Sequence, residues 1–122
     1  MKTVSLFLIA SLLIFSCSDE VSLITVGVDV QSFFNNDKVI VSIDNKVVLN
    51  ENLTTGVILA VTDARIVLKL KEGSHSITVT VYDVSTKTET FLLNASMYLG
   101  INYDEQSEEI TIIHSDHPFG YR

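Results

Sequence analysis

His114-Ser115-Asp116-His117 is the stretch of this sequence that gathers metal-ligand types. Imidazole and carboxylate suit zinc and related ions. Along a strand, alternation would put His114 and Asp116 on one face and turn His117 away. Pro118 then favours an extended or turning course. No further ligand lies nearby in sequence, and His75 could join only through the fold. The stretch reads either as a metal site built on His114, Asp116 and His117 or as a polar strand end running into a tail. Asp104-Glu105 and Glu108-Glu109 flank a turn. They lack the regular acidic spacing of a calcium loop, and a solvated hairpin tip accounts for them. Phe33, Phe34, Tyr82, Tyr98, Phe119 and Tyr121 are the aromatics that could offer a platform to a glycan. Tyr82 and Tyr98 fall on outward rows of their strands, and Phe33-Phe34 falls in a loop. Ordinary β-propensity or core packing would explain the same residues. No Gly-x-Ser-x-Gly, no readable Ser/His/acid set and no phosphate-cradling glycine loop occurs. The expectation is a protein without catalytic residues or cofactor.

The single cysteine of the chain, Cys17, stands at the end of an apolar leader. Met1-Lys2 gives a positive start, and residues 4–15 are almost wholly apolar. That run is too short for a spanning helix, which needs roughly 20 residues, and it has the organisation of a signal peptide. With no second cysteine in the sequence, a disulfide within the chain is excluded. Ile14-Phe15-Ser16-Cys17 resembles a bacterial lipobox, although Phe15 is larger than the residue usual there. The resemblance implies that the Cys17 thiol takes a diacylglycerol and becomes the new N-terminus. Ser18-Asp19-Glu20 resembles the serine-plus-acidic signal that sends lipoproteins of one Gram-negative phylum to the outer face of the cell. The organisation expected is a signal peptide over residues 1–16, a lipidated tether over 17–21 and one domain over 22–122.

Charge narrows the partners. Acidic residues outnumber Lys and Arg by 15 to 8, for a formal net charge of −7. Such a balance excludes nucleic acid, whose phosphates require cationic side chains. It also speaks against a polybasic membrane surface, so the lipid alone should hold the membrane.

The elements that must position any site are strands. Residues 22–30 alternate, with Ile24, Val26, Val28 and Val30 on one face. Residues 38–44 and 46–49 form a hairpin around Asp44-Asn45, both of which tolerate positive φ. Residues 65–71 carry Ile66, Leu68 and Leu70 inward, with Val67 on an outer row that is partly covered. Glu72-Gly73-Ser74 is a turn before a strand over 75–83, and Ser85-Thr86-Lys87 is a turn before one over 88–93. Residues 96–104 and 108–114 close the chain, and 57–61 is a further apolar run, either a strand or a buried connection. The expected fold is all-β, an antiparallel β-sandwich of about eight strands. Lys71-Glu72-Gly73-Ser74-His75 before a Thr/Val strand resembles the loop before a late strand in immunoglobulin-like and transthyretin-like sandwiches.

Together these features describe a lipid-anchored protein of the bacterial outer membrane, displayed at the cell surface. Its expected role is non-catalytic, a binding or structural module for a glycan or an envelope protein. The competing expectation is a metal-binding protein using His114, Asp116 and His117. A short tether places the start of the first strand near the membrane. Phe33-Phe34-Asn35-Asn36 then falls at the distal end, where sandwich loops commonly bind.

Overall fold

Period-two alternation with β-branched residues gives one apolar face per strand, and two such faces must meet. The computed structural model describes residues 22–32, 34–56 and 64–120. Eight strands follow in order: β1 (Leu23–Val30), β2 (Asp37–Ile43), β3 (Lys46–Leu53), β4 (Arg65–Lys71), β5 (Gly73–Val81), β6 (Ser85–Leu93), β7 (Met97–Asp104) and β8 (Glu109–Ser115). They form two four-stranded sheets, β4-β1-β7-β8 and β3-β2-β5-β6. The fold is thus an all-β sandwich. All pairs are antiparallel except β1 with β7, which run parallel. Immunoglobulin constant domains pair their first two strands within one sheet. Here β1 pairs with β4 and β7, and β2 lies in the other layer.

The inward rows are those the alternation predicts. Val26, Val28 and Val30 of β1 meet Val39, Val41, Ile77, Val79, Leu99 and Ile101 in one buried cluster. At the β2–β3 turn, Asp44 and Asn45 have φ of 50° and 68°. Two successive left-handed residues match the twist of a hairpin.

Two turns differ from the sequence expectation. The chain between β5 and β6 reverses at residues 82–84, not at Ser85-Thr86-Lys87. Asp83 adopts φ 62° and the Val84 amide donates to the Val81 carbonyl, so the reversal is complete before Ser85. β6 consequently starts at Ser85, and Lys87 and Glu89 continue its inner row at the sheet edge. The turn at Glu72 is shorter than Glu72-Gly73-Ser74, because β5 already starts at Gly73. It carries the chain from β4 in one sheet to β5 in the other. Gly73 takes φ 130° there, a conformation open to glycine and strained for other residues. The apolar run 57–61 lies outside the described residues, as do Cys17, Ser18, Asp19, Glu20, Phe33 and Tyr121.

The outer row of β1 is also covered, which alternation alone does not show. Gly27, Asp29 and Gln31 are buried although they point away from the core. The Tyr98 ring lies over Gly27, where an added Cβ would stand 2.6 Å from a ring carbon. Asp29 accepts two hydrogen bonds from Arg65, at 2.9 and 2.8 Å, and Arg65 reaches on to the Phe119 carbonyl at 3.4 Å. Residues 118 and 119 thus lie over this sheet after β8 ends. Val67, on the neighbouring outer row, lines the small cavity beneath Phe119 yet stays 64 % exposed.

A clasp closes the end where β1 begins. His75 Nδ1 faces Asp44 Oδ2, and its Nε2 faces the Lys71 carbonyl at 2.7 Å. Both partners are acceptors, so the ring fills both bonds only as the imidazolium. The hydrogen bond to Asp44, then that to Lys71, raises the His75 pKa against the opposing effect of burial. For Asp44, burial pushes the pKa up, but hydrogen bonds from His75 and the Ser76 amide outweigh it and the net shift is downward. A raised histidine pKa contributes stability that is fully present below the unfolded value of about 6.5 and lost as pH rises through the folded value. The Asp44 contribution is lost only at acid pH, as pH falls through its lowered folded value. The melting temperature should therefore decline as pH rises above about 6.5, the ordinary histidine value. His75→Gln should flatten that decline; an unchanged slope in the variant would show that the clasp does not titrate there.

Candidate functional site

The end of the sandwich towards which β1 runs, the distal end, carries a cleft of about 610 Å³. Two segments build it. One is the β1–β2 connection with Phe34 and Asn35; the other is the β7–β8 hairpin with Asp104, Glu105 and Gln106, backed by Thr111.

Backbone and side-chain bonds fix both segments. Beyond β1 the parallel ladder to β7 continues: the Gln31 amide donates to the Ile101 carbonyl at 2.7 Å and the Tyr103 amide to the Ser32 carbonyl at 3.1 Å. Asn102 ties the same segment down. Its Oδ1 accepts from the Ser32 amide at 3.1 Å and the Ser32 hydroxyl at 2.6 Å, and its Nδ2 donates to Gln31 Oε1 at 2.8 Å. Residues 52–55 hold the rest of the loop. Thr55 Oγ1 accepts from the Phe34 amide at 2.8 Å, and Thr54 Oγ1 from the Asn36 amide at 3.0 Å. On the hairpin, Asp104 Oδ1 accepts from the Gln106 amide at 3.0 Å, a local turn that also fixes the tip.

The floor is aromatic and closed. Phe34 is 2 % exposed and Tyr103 3 %, with ring centroids 5.8 Å apart and planes at 24°. The Tyr103 hydroxyl has no hydrogen-bond partner among the described residues, yet no buried side-chain oxygen is left unsatisfied. The hydroxyl is therefore reached by solvent. Burial, followed by the charges of Asp37, Glu108, Glu105 and Asp104, raises the Tyr103 pKa. Asp104 and Glu105 give the cleft an acidic lining. Its lining can donate and accept hydrogen bonds through Asn35, Gln106 and Thr111 and attract cations through its carboxylates.

The residues that the sequence marked take different places. Phe34 belongs to the core, so its ring is no free anchor, and Phe33 lies outside the described residues. Tyr82 is 60 % exposed and stands beneath the Lys38 ammonium at 5.0 Å, beside the sheet of β2 and β5. Tyr98 lies on the outer face of β7, in the other sheet, folded over Gly27. The two tyrosines therefore belong to opposite layers and share no platform. Phe119 is half-buried over the outer face of the β4-β1-β7 sheet.

The metal trio is not gathered. His114 Nε2 lies 3.2 Å from Glu89 Oε1 on β6, where the edges of the two sheets meet. Asp116 and His117 pair with each other at 3.3 Å, both widely exposed beyond the strand end. Among the described residues no three His, Cys, Asp or Glu side chains converge on a point that could hold a metal ion. The reason is local: β8 keeps its inner row through His114, then Ser115 turns the chain by bonding the His117 amide and carbonyl.

Sequence reasoning did not pick out Asn102, Tyr103, Gln106 or Thr111 as site residues. Tyr103 and Asn102 read as ordinary members of an inner and an outer row. Only the parallel register of β1 and β7 brings the loop at 32–35 against the hairpin at 104–106.

Comparison of the chain with protein-family models, with curated proteins and with solved structures finds no match to any of them.

Proposed function

We propose that this chain is a lipid-anchored cell-envelope module that binds a partner through its distal cleft and carries out no catalysis. Cys17 carries the lipid, and Ser18, Asp19 and Glu20 direct export to the outer face of the outer membrane. The observation that supports this reading is the position of the cleft. It opens at the end of the sandwich opposite Leu23, where β1 starts. A tether over residues 17–21 extends at most about 3.3–3.6 Å per residue. The β1 start is therefore held close to the membrane and the cleft is directed outward. Loop ends of β-sandwiches are common binding surfaces because a rigid scaffold positions them. Within the sandwich types that the sequence resembles, pairing of β1 with β4 and β7 favours the transthyretin-like one over the immunoglobulin-like one.

The test is photo-crosslinking on intact cells, with a photoreactive residue placed at Gln106 in the cleft or at Asn94 at the opposite end. Adducts from the Gln106 position and not from Asn94 are the expected result. Adducts from Asn94 alone would assign binding to the wrong end.

A further inference from the structure

We infer that the anchored end of the domain is itself a membrane contact: Lys46, Lys69 and Lys71, with the exposed side chains of Leu23 and Val47 beside them, dock on anionic headgroups of the bilayer that holds the anchor. The inference rests on the proposed lipidation of Cys17 and adds what the domain does at that surface.

The distribution of charge carries it. Six cationic side chains lie among the described residues. Arg65 is bonded to Asp29, Lys87 lies 3.6 Å from Glu89, and Lys38 stands over the Tyr82 ring. The other three, Lys46, Lys69 and Lys71, are exposed and form no ion pair among the described residues. All three stand at one corner. Lys71 is paired with Leu23 and Lys69 with Thr25, where β1 starts. Lys46 follows the Asp44-Asn45 turn, which the His75 clasp ties to the Lys71 carbonyl. Both β3 and β4 are edge strands, on the side away from the His114–Glu89 contact. The acids near this end weigh less. Asp44 is engaged by His75 and the Ser76 amide, and Asp116 pairs with His117 beyond β8, which leaves Glu72 against three lysines. Asp104, Glu105, Glu108 and Glu109 belong to the hairpin at the opposite end.

The apolar side chains of the same corner are the second observation. Leu23 is 53 % exposed and Val47 61 %, while Ile24, Val48 and Leu70 are only half-buried. Exposed apolar groups next to lysines suit the headgroup boundary, where the ammonium meets phosphate and the apolar atoms meet the acyl region. Three lysines are too few to recruit a chain of net charge −7 from solution. Once a lipid holds Cys17 the contact is intramolecular, and a few charges suffice to set the orientation. A second copy of the chain fits less well, because a two-fold contact sets the same lysines against one another.

The experiment places the full-length protein, isolated from cell membranes, in vesicles of phosphatidylcholine alone or of phosphatidylcholine and phosphatidylglycerol in equal parts. A nitroxide at Ser74→Cys, on the anchored end, or at Gln106→Cys, on the distal end, reports access of a water-soluble and of a membrane-dissolved relaxation agent. On anionic vesicles the Ser74 position should lose access to the aqueous agent and gain access to the membrane agent, while Gln106 stays aqueous. Changing Lys46, Lys69 and Lys71 to Gln should lower the ratio of docked to free orientations roughly fivefold per lysine. Added salt should act in the same direction. Lys38→Gln with Lys87→Gln, both away from this corner, should change the ratio less than about twofold. Equal access at Ser74 on neutral and anionic vesicles, or an equal loss from the Lys38 and Lys87 pair, would overturn the docking; flotation with neutral vesicles then leaves the anchor standing. Membrane access at Gln106 in place of Ser74 would overturn both the docking and the outward direction of the cleft. A protein that does not float with neutral vesicles would overturn the anchor and this inference with it.

Discussion

Phe34→Ala is expected to destabilise the fold by about 3–5 kcal/mol, the range for truncating a buried phenylalanine. The Phe34 ring is 2 % exposed, belongs to the core cluster and stacks on Tyr103. Its backbone is pinned on both sides, the amide to Thr55 Oγ1 at 2.8 Å and the carbonyl to the Thr55 amide at 2.9 Å. Those bonds hinder the loop from collapsing into the space that the ring would vacate, which places the cost towards the upper part of the range. Phe34→Leu should cost much less, because most of the buried volume remains. Urea denaturation of the two variants measures both. A loss below about 1 kcal/mol for Phe34→Ala would place the ring outside the core and return it to the binding surface. The cleft is affected as well, since Tyr103 loses the ring it packs against.

Cys17→Ala is expected to abolish lipid anchoring. Under the proposed anchoring, the thiol carries a diacylglycerol. Each buried methylene contributes about 0.8 kcal/mol, and two chains hold stably where one does so only marginally. The net charge of −7 does not favour attraction to an anionic membrane surface. The alanine variant should therefore leave the membrane fraction or persist as the uncleaved precursor. A variant that is processed and still sediments with membranes would mean that another part of the chain binds lipid.

Sequence alone made the core legible and left the site obscure, for a physical reason that particular residues show. Val26, Val28, Val30, Ile77, Val79, Leu99 and Ile101 are inward because one face of each strand must be dry, and period-two alternation writes that rule directly into the sequence. Asp44-Asn45 is legible because a two-residue hairpin needs left-handed residues. Strand pairing has no such local signature. Glu72-Gly73 reads as a turn whether it joins neighbours in one sheet or, as here, crosses between sheets. The covering of Gly27 and Asp29 depends on Tyr98, Arg65 and Phe119, which are distant in sequence and meet only through the β4-β1-β7 order. The cleft is subject to the same blindness. Phe34 and Tyr103 are far apart in the chain, and the parallel pairing that brings them together is set by tertiary packing. The residues of the metal trio take their places for a local reason: His114 faces Glu89 on β6, and beyond Ser115, the last residue of β8, Asp116 and His117 pair with each other.

Under the proposed anchoring, the orientation of the domain, with one end held and the other presented, starts from Cys17. The measurement that bears on it most directly is metabolic labelling of cells with a clickable fatty acid, followed by isolation of the protein. The wild-type chain should carry the label and Cys17→Ala should not. An unlabelled wild-type chain would contradict the lipid anchor, and with it the assignment of the cleft to the outward end.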